Sequence, residues 1–370
     1  MKYIIGILLV VFMFTSCNKK EIVIYNAQHK QKLKIQKNKI EYDNLSDIIK
    51  TNNKVVNNIA IVYSSNKIGK YAIKISDIVL AYSSNLNNNF EYSFFDIQDE
   101  SKESINKIFD KMYDNKIKHV IFYLTTPALI NLSKYNKLDQ FTIYLPLINK
   151  NDSYLNLDDN IIFGGIDYKK QLNILIKEAN SHIIEIYDNK YRNIKLHNMI
   201  GDNNITSYKL NGKYPNYKKF INEHELLNEA SIILNLSVVK SSIFLSQLRA
   251  SDDLNISQVL TTQNNYTPLL FVLSQKEDIK NLIIANSIKD INTKLYNINK
   301  LMSNDIKYDW VNYSTVLGLE YFKTNKKILF ENIEIIDGQL NYPIDLFITN
   351  NNSFISYVKE QNATIIQENY

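Results

Sequence analysis

From Asn58 onward, short apolar runs alternate with stretches whose apolar residues recur every three or four positions. Parallel strands joined by crossover helices give this pattern, because such strands are buried on both faces. Ile59–Tyr63 (IAIVY) reads as the first strand; past the polar loop Ser64-Ser65-Asn66, the spacing of Ile68, Ala72, Ile75, Val79 and Tyr82 predicts a helix. Phe90–Ile97 is the second strand, and Ser101 has the character of an N-cap for a helix with Ile105, Ile108, Phe109 and Met112 on one face. Lys118–Leu124 (KHVIFYL) is the third strand and ends in Thr125-Thr126-Pro127, where the proline opens a helix. Phe141–Ile148 and Asn160–Gly164 add two strands. A second series follows the helix Gln171–Ala179, with strands at His182–Tyr187, Thr206–Leu210, Ser231–Leu236 and Ser257–Leu260. Lys300–Lys323 reads as a late helix, and Ile333–Gly338 with Ile344–Ile348 as a hairpin or paired strands. Two βα series imply two lobes, with chain crossings expected near Gly164–Ser181, near Asn281–Asn292 and before the closing strands. No period of 20 to 50 residues recurs, which argues against a solenoid.

The N-terminus departs from this pattern. Lys2 is followed by the apolar run Ile4–Phe14, the small pair Thr15-Ser16 and then Cys17, the only cysteine in the chain. This is the layout of a secretory signal peptide. Its apolar run is shorter than the roughly 18 residues a membrane-spanning helix needs. A lone cysteine at this point fits lipid attachment at a lipobox, here FTSC with Phe where Leu is usual, in preference to an ordinary secretory peptide or an uncleaved anchor. Asn18 is not the aspartate that retains such proteins at the inner membrane, so the outer membrane is expected, with the inner membrane as the alternative. The expected organisation is a signal peptide at 1–16, a tether at 17–56, lobe 1 at 57–180, lobe 2 at 181–285, and a return to lobe 1 with closing strands at 286–370.

Composition excludes several classes. With 370 residues, 45% hydrophobic and 22% charged, the chain has material for a real core. Its net charge of +5 comes from interspersed lysines and acids without a basic stripe, so nucleic acid is not an expected partner. His224-Glu225 begins like a zinc-protease motif, but Asn228 stands where the second histidine belongs. The histidines His29, His119, His182, His197 and His224 are scattered, so neither a metal nor another cofactor is expected. GxSxG, GxxxxGK[ST] and GxGxxG are absent, and Asp158-Asp159 and Asp252-Asp253 read as solvated turns. No enzyme is expected.

Two loops remain as candidate sites. Ser64, Ser65 and Asn66 follow the first strand and Thr125 and Thr126 follow the third, which places all five at the carboxyl edge of a parallel sheet, where open α/β folds bind ligands. Hydroxyls and helix N-termini there suit a small anion. The other reading is that they only cap the next helices, and it carries more weight.

The order of elements resembles the type 1 periplasmic-binding-protein fold over about Asn57 to Tyr357. IAIVYSSNKIGKYAIKISDIVLAY resembles that family's opening strand, loop and helix, and KHVIFYLTTPAL its third strand and turn. HIIEIYDNKYRNIKLHNMI resembles the entry to the second lobe, and ASIILNLSVVKSSIFLSQLR a later βα unit. DWVNYSTVLGLEYF is similar to the late helix that returns to lobe one, and IEIIDGQLNYPIDLFI to the closing G-x-L hairpin. The fold class so implied is α/β, two-lobed, with mostly parallel sheets. Joined to a lipid anchor, it resembles the LppC/LpoA group of outer-membrane lipoproteins, and SQVLTTQNNYTPLLFVLSQKEDIKNLIIAN is similar to one of their strand–loop segments. The resemblance implies a non-catalytic envelope protein, facing the periplasm, whose partner is a peptidoglycan synthase of the penicillin-binding class. Scarce glycine departs from that group's pattern, as does the expected absence of a helical-repeat N-terminal domain. The other class of function is a solute receptor whose lobes close on an amino acid or another small molecule.

Overall fold

The computed structural model describes residues 57–358, apart from 70, 86–89, 154, 156, 202–203, 252–253, 290, 325–332 and 351. The expected signal peptide, Cys17, the tether, His29 and Asp252-Asp253 lie outside the described residues.

Lobe 1 opens with β1 (Asn57–Tyr63), α1 (Tyr71–Asn85), β2 (Phe90–Asp96), α2 (Lys102–Asp114), β3 (His119–Tyr123), β4 (Thr142–Leu145) and β5 (Ile161–Phe163). Lobe 2 follows with α3 (Tyr168–Glu178), β6 (Ile183–Asp188), α4 (Tyr191–Ile200), β7 (Thr206–Leu210), α5 (Tyr217–Asn222), β8 (Ser231–Asn235), α6 (Val238–Arg249), β9 (Gln258–Thr261), α7 (Leu269–Leu273) and β10 (Leu282–Asn286). The chain then returns through α8 (Thr293–Leu301) and α9 (Trp310–Lys323), both packed on α1, to β11 (Glu334–Ile336) and β12 (Gln339–Asn341), and ends with β13 (Asp345–Asn350) and β14 (Ser353–Ser356).

The two sheets share one topology over their first five strands and differ beyond them. The first runs β2-β1-β3-β4-β5-β12-β11 and the second β7-β6-β8-β9-β10-β13-β14. The first five strands of each are parallel, and antiparallel pairing enters only at β11–β12 and at β10–β13–β14. In each sheet the order reverses between the first strand of the lobe and its two neighbours, so the following loops diverge and leave a crevice at the carboxyl edge.

Buried runs account for the layers. Val120, Phe122 and Leu124 face α2 with Phe109 and Met112, while Ile121 and Tyr123 face the side covered by α1 and α9. Lobe 2 repeats this with Ile232 and Leu234 against Phe244 and Leu248 on one side, and Ile233 against Leu172 and Leu196 on the other. Helix α9 is buried almost all round, which its mix of apolar and small residues allows. A Cβ on Gly318 would meet the Tyr144 ring, so the glycine lets this helix approach β4.

Ser101 caps α2 as expected, accepting the Ser104 N–H at 3.2 Å. Three expectations need adjustment. Lys300–Lys323 is not one helix, since α8 ends at Leu301 and Asp309 caps α9 by accepting the Val311 N–H at 3.0 Å. The segments around Ile333–Gly338 and Ile344–Ile348 do not pair with each other. Asp337 and Gly338, both at positive φ (49° and 73°), form the two-residue turn of a β11–β12 hairpin in the first sheet. Strand β13 instead joins β10 in the second sheet, so the third crossing is Tyr342–Ile344, between the closing segments. The sequence reading places a crossing over Asn281–Asn292 and so misses strand β10, although its apolar run LIIAN follows a turn at Asn281, at φ 62°.

Candidate functional site: the two carboxyl edges and the cleft

At the carboxyl edge of the first sheet, the four candidate hydroxyl residues divide. Ser64 is buried and its Oγ donates to the Gln98 carbonyl at 3.1 Å. The Ser65 N–H donates to Asp96 Oδ1 at 2.9 Å, and the Asn66 side-chain amide donates to the Gln98 carbonyl at 2.6 Å. The Thr125 N–H donates to Glu100 Oε1 at 2.9 Å, and its hydroxyl donates to the second oxygen of the same carboxylate. Asn131 donates to the Glu100 carbonyl at 2.9 Å. Ser64, Ser65 and Thr125 are thus gathered by one segment, Asp96–Glu100, which joins β2 to α2. Neither Ser64 nor Thr125 caps the helical turn after it with its side chain. Thr126 is the one that reaches the space between the lobes.

That space is a cavity of about 660 Å³, lined from lobe 1 by Thr126, Ile130 and Asn151, from the first crossing by Tyr168, and from α4 by Tyr191 and Asn198. One ion pair crosses it, Lys195 Nζ to Asp152 Oδ2 at 2.7 Å. Burial raises the Tyr168 phenol to about 12, with the Arg192 cation opposing and Asp309 adding to the rise. Burial also raises the Asp309 carboxyl above its ordinary value, although the Asn312 and Val311 N–H groups and Lys74 oppose the rise.

The first crossing is held tightly. The Gly164 carbonyl accepts from the Tyr342 hydroxyl at 2.6 Å and from Ser314 Oγ at 2.9 Å. The Gly165 carbonyl accepts from the Asn149 amide at 3.1 Å. A Cβ on Gly165 would overlap the Ile148–Asn149 peptide, so close backbone packing requires this glycine.

The carboxyl edge of the second sheet is built differently. Asp188, at the end of β6, is almost fully buried; its Oδ1 accepts from the Lys190 N–H at 3.0 Å and the Asn193 amide at 2.7 Å. Its Oδ2 stands 2.7 Å from Lys240 Nζ. Burial alone would raise the Asp188 carboxyl, but the hydrogen bonds from Lys240, Lys190 and Asn193 outweigh it and leave the group below its ordinary value. Within the strand, fully buried Glu185 accepts from Ser207 Oγ at 2.7 Å and the Asn235 amide at 2.7 Å. It also lies 2.6 Å from His197 Nδ1, whose ring stacks on Tyr187 at 4.0 Å. Sequence reading missed this network, although an acid inside the apolar run HIIEIY was the signal for it. Asp188, Lys240, Glu100 and the Lys195–Asp152 pair carried no such signal. Among the described residues, no three His, Cys, Asp or Glu side chains are grouped to hold a metal, and no helix is long and apolar enough to cross a membrane.

Two similar lobes joined by three crossings give this chain the fold seen in type 1 periplasmic binding proteins. The C-domain of LpoA from Haemophilus influenzae, a regulator of PBP1A, is similar at TM-score 0.56 and 10% identity, covering 81% of this chain and 100% of that one. A longer LpoA chain from the same organism is similar at TM-score 0.58 and 9% identity over 82% of this chain and 58% of its own. The leucine-binding protein LivK from Thermotoga maritima is similar at TM-score 0.54 and 11% identity, over 82% and 98% of the two chains. No family model and no curated protein sequence matches the chain.

Proposed function

We propose that this chain is a non-catalytic envelope lipoprotein, held at the outer membrane by a lipid on Cys17, whose two-lobed domain contacts a protein in the periplasm such as a peptidoglycan synthase of the penicillin-binding class. The observation that carries this reading is Glu100. A receptor for amino acids needs free donors at the lobe 1 edge for the ligand carboxylate. Here the Thr125 N–H and hydroxyl already hold a carboxylate from their own chain. The similarity to a PBP1A regulator supports the same reading.

The test is chemical crosslinking in intact cells, followed by purification of the full chain and detection of class A penicillin-binding proteins. A crosslink is expected, and its absence under conditions that capture a known envelope complex sinks the proposal. Mass spectrometry of the same material should find the mature N-terminus at a diacylated Cys17; an unmodified thiol refutes the anchor.

A solute receptor is the second reading, favoured by the cavity of about 660 Å³ that includes Thr126, a volume within the range of small-molecule sites. A ligand held at 100 times its Kd should stabilise the domain by about 2.7 kcal/mol. An upward thermal shift with one amino acid, abolished by Thr125→Ala with Thr126→Ala, establishes this reading.

A further inference from the structure

The connection from β7 to α5, together with the starts of α4 and α6, encloses a groove of about 960 Å³ at the carboxyl edge of lobe 2. Its floor holds the Asp188–Lys240 pair, with side chains 1% and 16% exposed. Its rim is apolar and open to water, with Tyr214 84%, Val239 48% and Ile243 46% exposed. Val239 and Ile243 are four residues apart on α6, so they are neighbours on its surface. Large apolar side chains collected around one recess mark an interaction site more often than isolated ones do.

Charge decides what fits. The lining carries Lys190, Lys213 and Lys240 against a single carboxylate, Asp188, which is already paired. The N-terminus of α6 adds partial positive charge, because Ser237 does not cap it with its side chain. We infer that the groove is a docking surface for an acidic segment of a protein partner, which sets an apolar side chain among Tyr214, Val239 and Ile243 and its carboxylates against Lys190 and Lys213. This rests on the reading that the domain contacts a protein. An anionic membrane fits less well, since polybasic membrane-binding faces carry on the order of four to eight cations.

The experiment uses the full chain in detergent and a fluorescein-labelled twelve-residue peptide alternating Glu with Leu and Phe. Two control peptides replace Glu by Lys, or Leu and Phe by Ser. Anisotropy should show binding of the acidic apolar peptide alone. Tyr214→Ala should weaken it roughly thirtyfold, the loss usual for a central aromatic anchor, and Lys190→Glu with Lys213→Glu should turn the preference to the Lys peptide. Binding indifferent to these substitutions overturns the inference. So does binding of phosphatidylglycerol vesicles in place of the peptide, or a Tyr214-dependent dimer in sedimentation velocity. The two proposals fail separately: a penicillin-binding-protein crosslink unaffected by Tyr214→Ala removes the groove alone, whereas groove-dependent peptide binding without that crosslink removes the named partner alone.

Discussion

The β2–α2 connection in lobe 1 and the β7–α5 connection in lobe 2 occupy the same place in two sheets whose first five strands follow the same order. In lobe 1 the connection folds over the strand ends, and Gln98 and Glu100 take up Ser64 and Thr125. In lobe 2 the connection leaves Tyr214 84% exposed, and the acid at the edge, Asp188, comes from the neighbouring strand β6. One edge has satisfied its own polar groups while the other has left an apolar rim in water. A shared topology therefore fixes where a site can form, and the connections after the edge strands decide whether it stays open.

The largest effect separates the fixed crossing from the open connection. Gly165→Ala places a methyl group into the Ile148–Asn149 peptide, where no side chain can move aside, and should cost about 3 kcal/mol or more. Gly212→Ala, in the lobe 2 connection, meets nothing within 4 Å and only its positive φ of 84° resists the change, at about 1 kcal/mol. Urea denaturation of both variants measures the difference; equal losses would mean that the crossing yields as easily as the loop.

A second comparison concerns the lobe 1 seal. Glu100→Ala leaves the Thr125 N–H and hydroxyl without their charged partner, and about 1.5 to 3 kcal/mol of stability should go with it. If that carboxylate fills a place a ligand could take, the variant should gain a thermal shift with acetate or glutamate at millimolar concentration that the parent lacks. A variant destabilised but indifferent to carboxylates would show the seal to be purely structural.

Most of the parallel strands, the two lobes and two of the three crossings were legible because buried parallel strands leave continuous apolar runs such as HVIFYL and SIILNL, and period alone reveals them. The carboxyl-edge position of Ser64 and Thr125 was legible for the same reason. Their partners were not. Glu100 reaches Thr125 across 25 residues and Gln98 reaches Ser64 across 34, and no spacing rule links residues that meet only after two strands pair. Lys195 and Asp152, 43 residues apart and in different lobes, lie further beyond local reading. The exchange of β13 into the second sheet was hidden because a hairpin and a crossing both need only two or three turn residues between strands.

The two lobes should also respond to acid with opposite sign. Asp188 has a folded pKa below its unfolded one. Its stabilisation is therefore complete above the unfolded value, about 3.9, and is lost as pH falls through the lower folded value. Asp309 is raised by burial, so its contribution is present below the unfolded value and lost as pH rises through the folded one. Denaturation curves from pH 3 to 7 should show Asp188→Asn flattening the acid limb, while Asp309→Asn, which keeps a capping oxygen for α9, raises stability at neutral pH. Parallel shifts in the two variants would contradict the assignment.

The smallest effect on stability bears most directly on how the two edges face each other. Lys195 and Asp152 form an ion pair across the cleft with side chains 35% and 14% exposed, and pairs of this kind contribute less than about 1 kcal/mol. Global unfolding of Lys195→Ala should therefore move little. The pair touches both lobes, however, so its whole contribution falls on the balance between closed and open arrangements, and about 1 kcal/mol there changes that balance roughly fivefold. Small-angle scattering should find a larger radius of gyration for Lys195→Ala than for the parent, and the parent should approach the variant as salt screens the pair. The exchange Lys195→Asp with Asp152→Lys restores the attraction and should restore the parent value. An unchanged radius in the single variant would show that the crossings alone set the separation of the two edges.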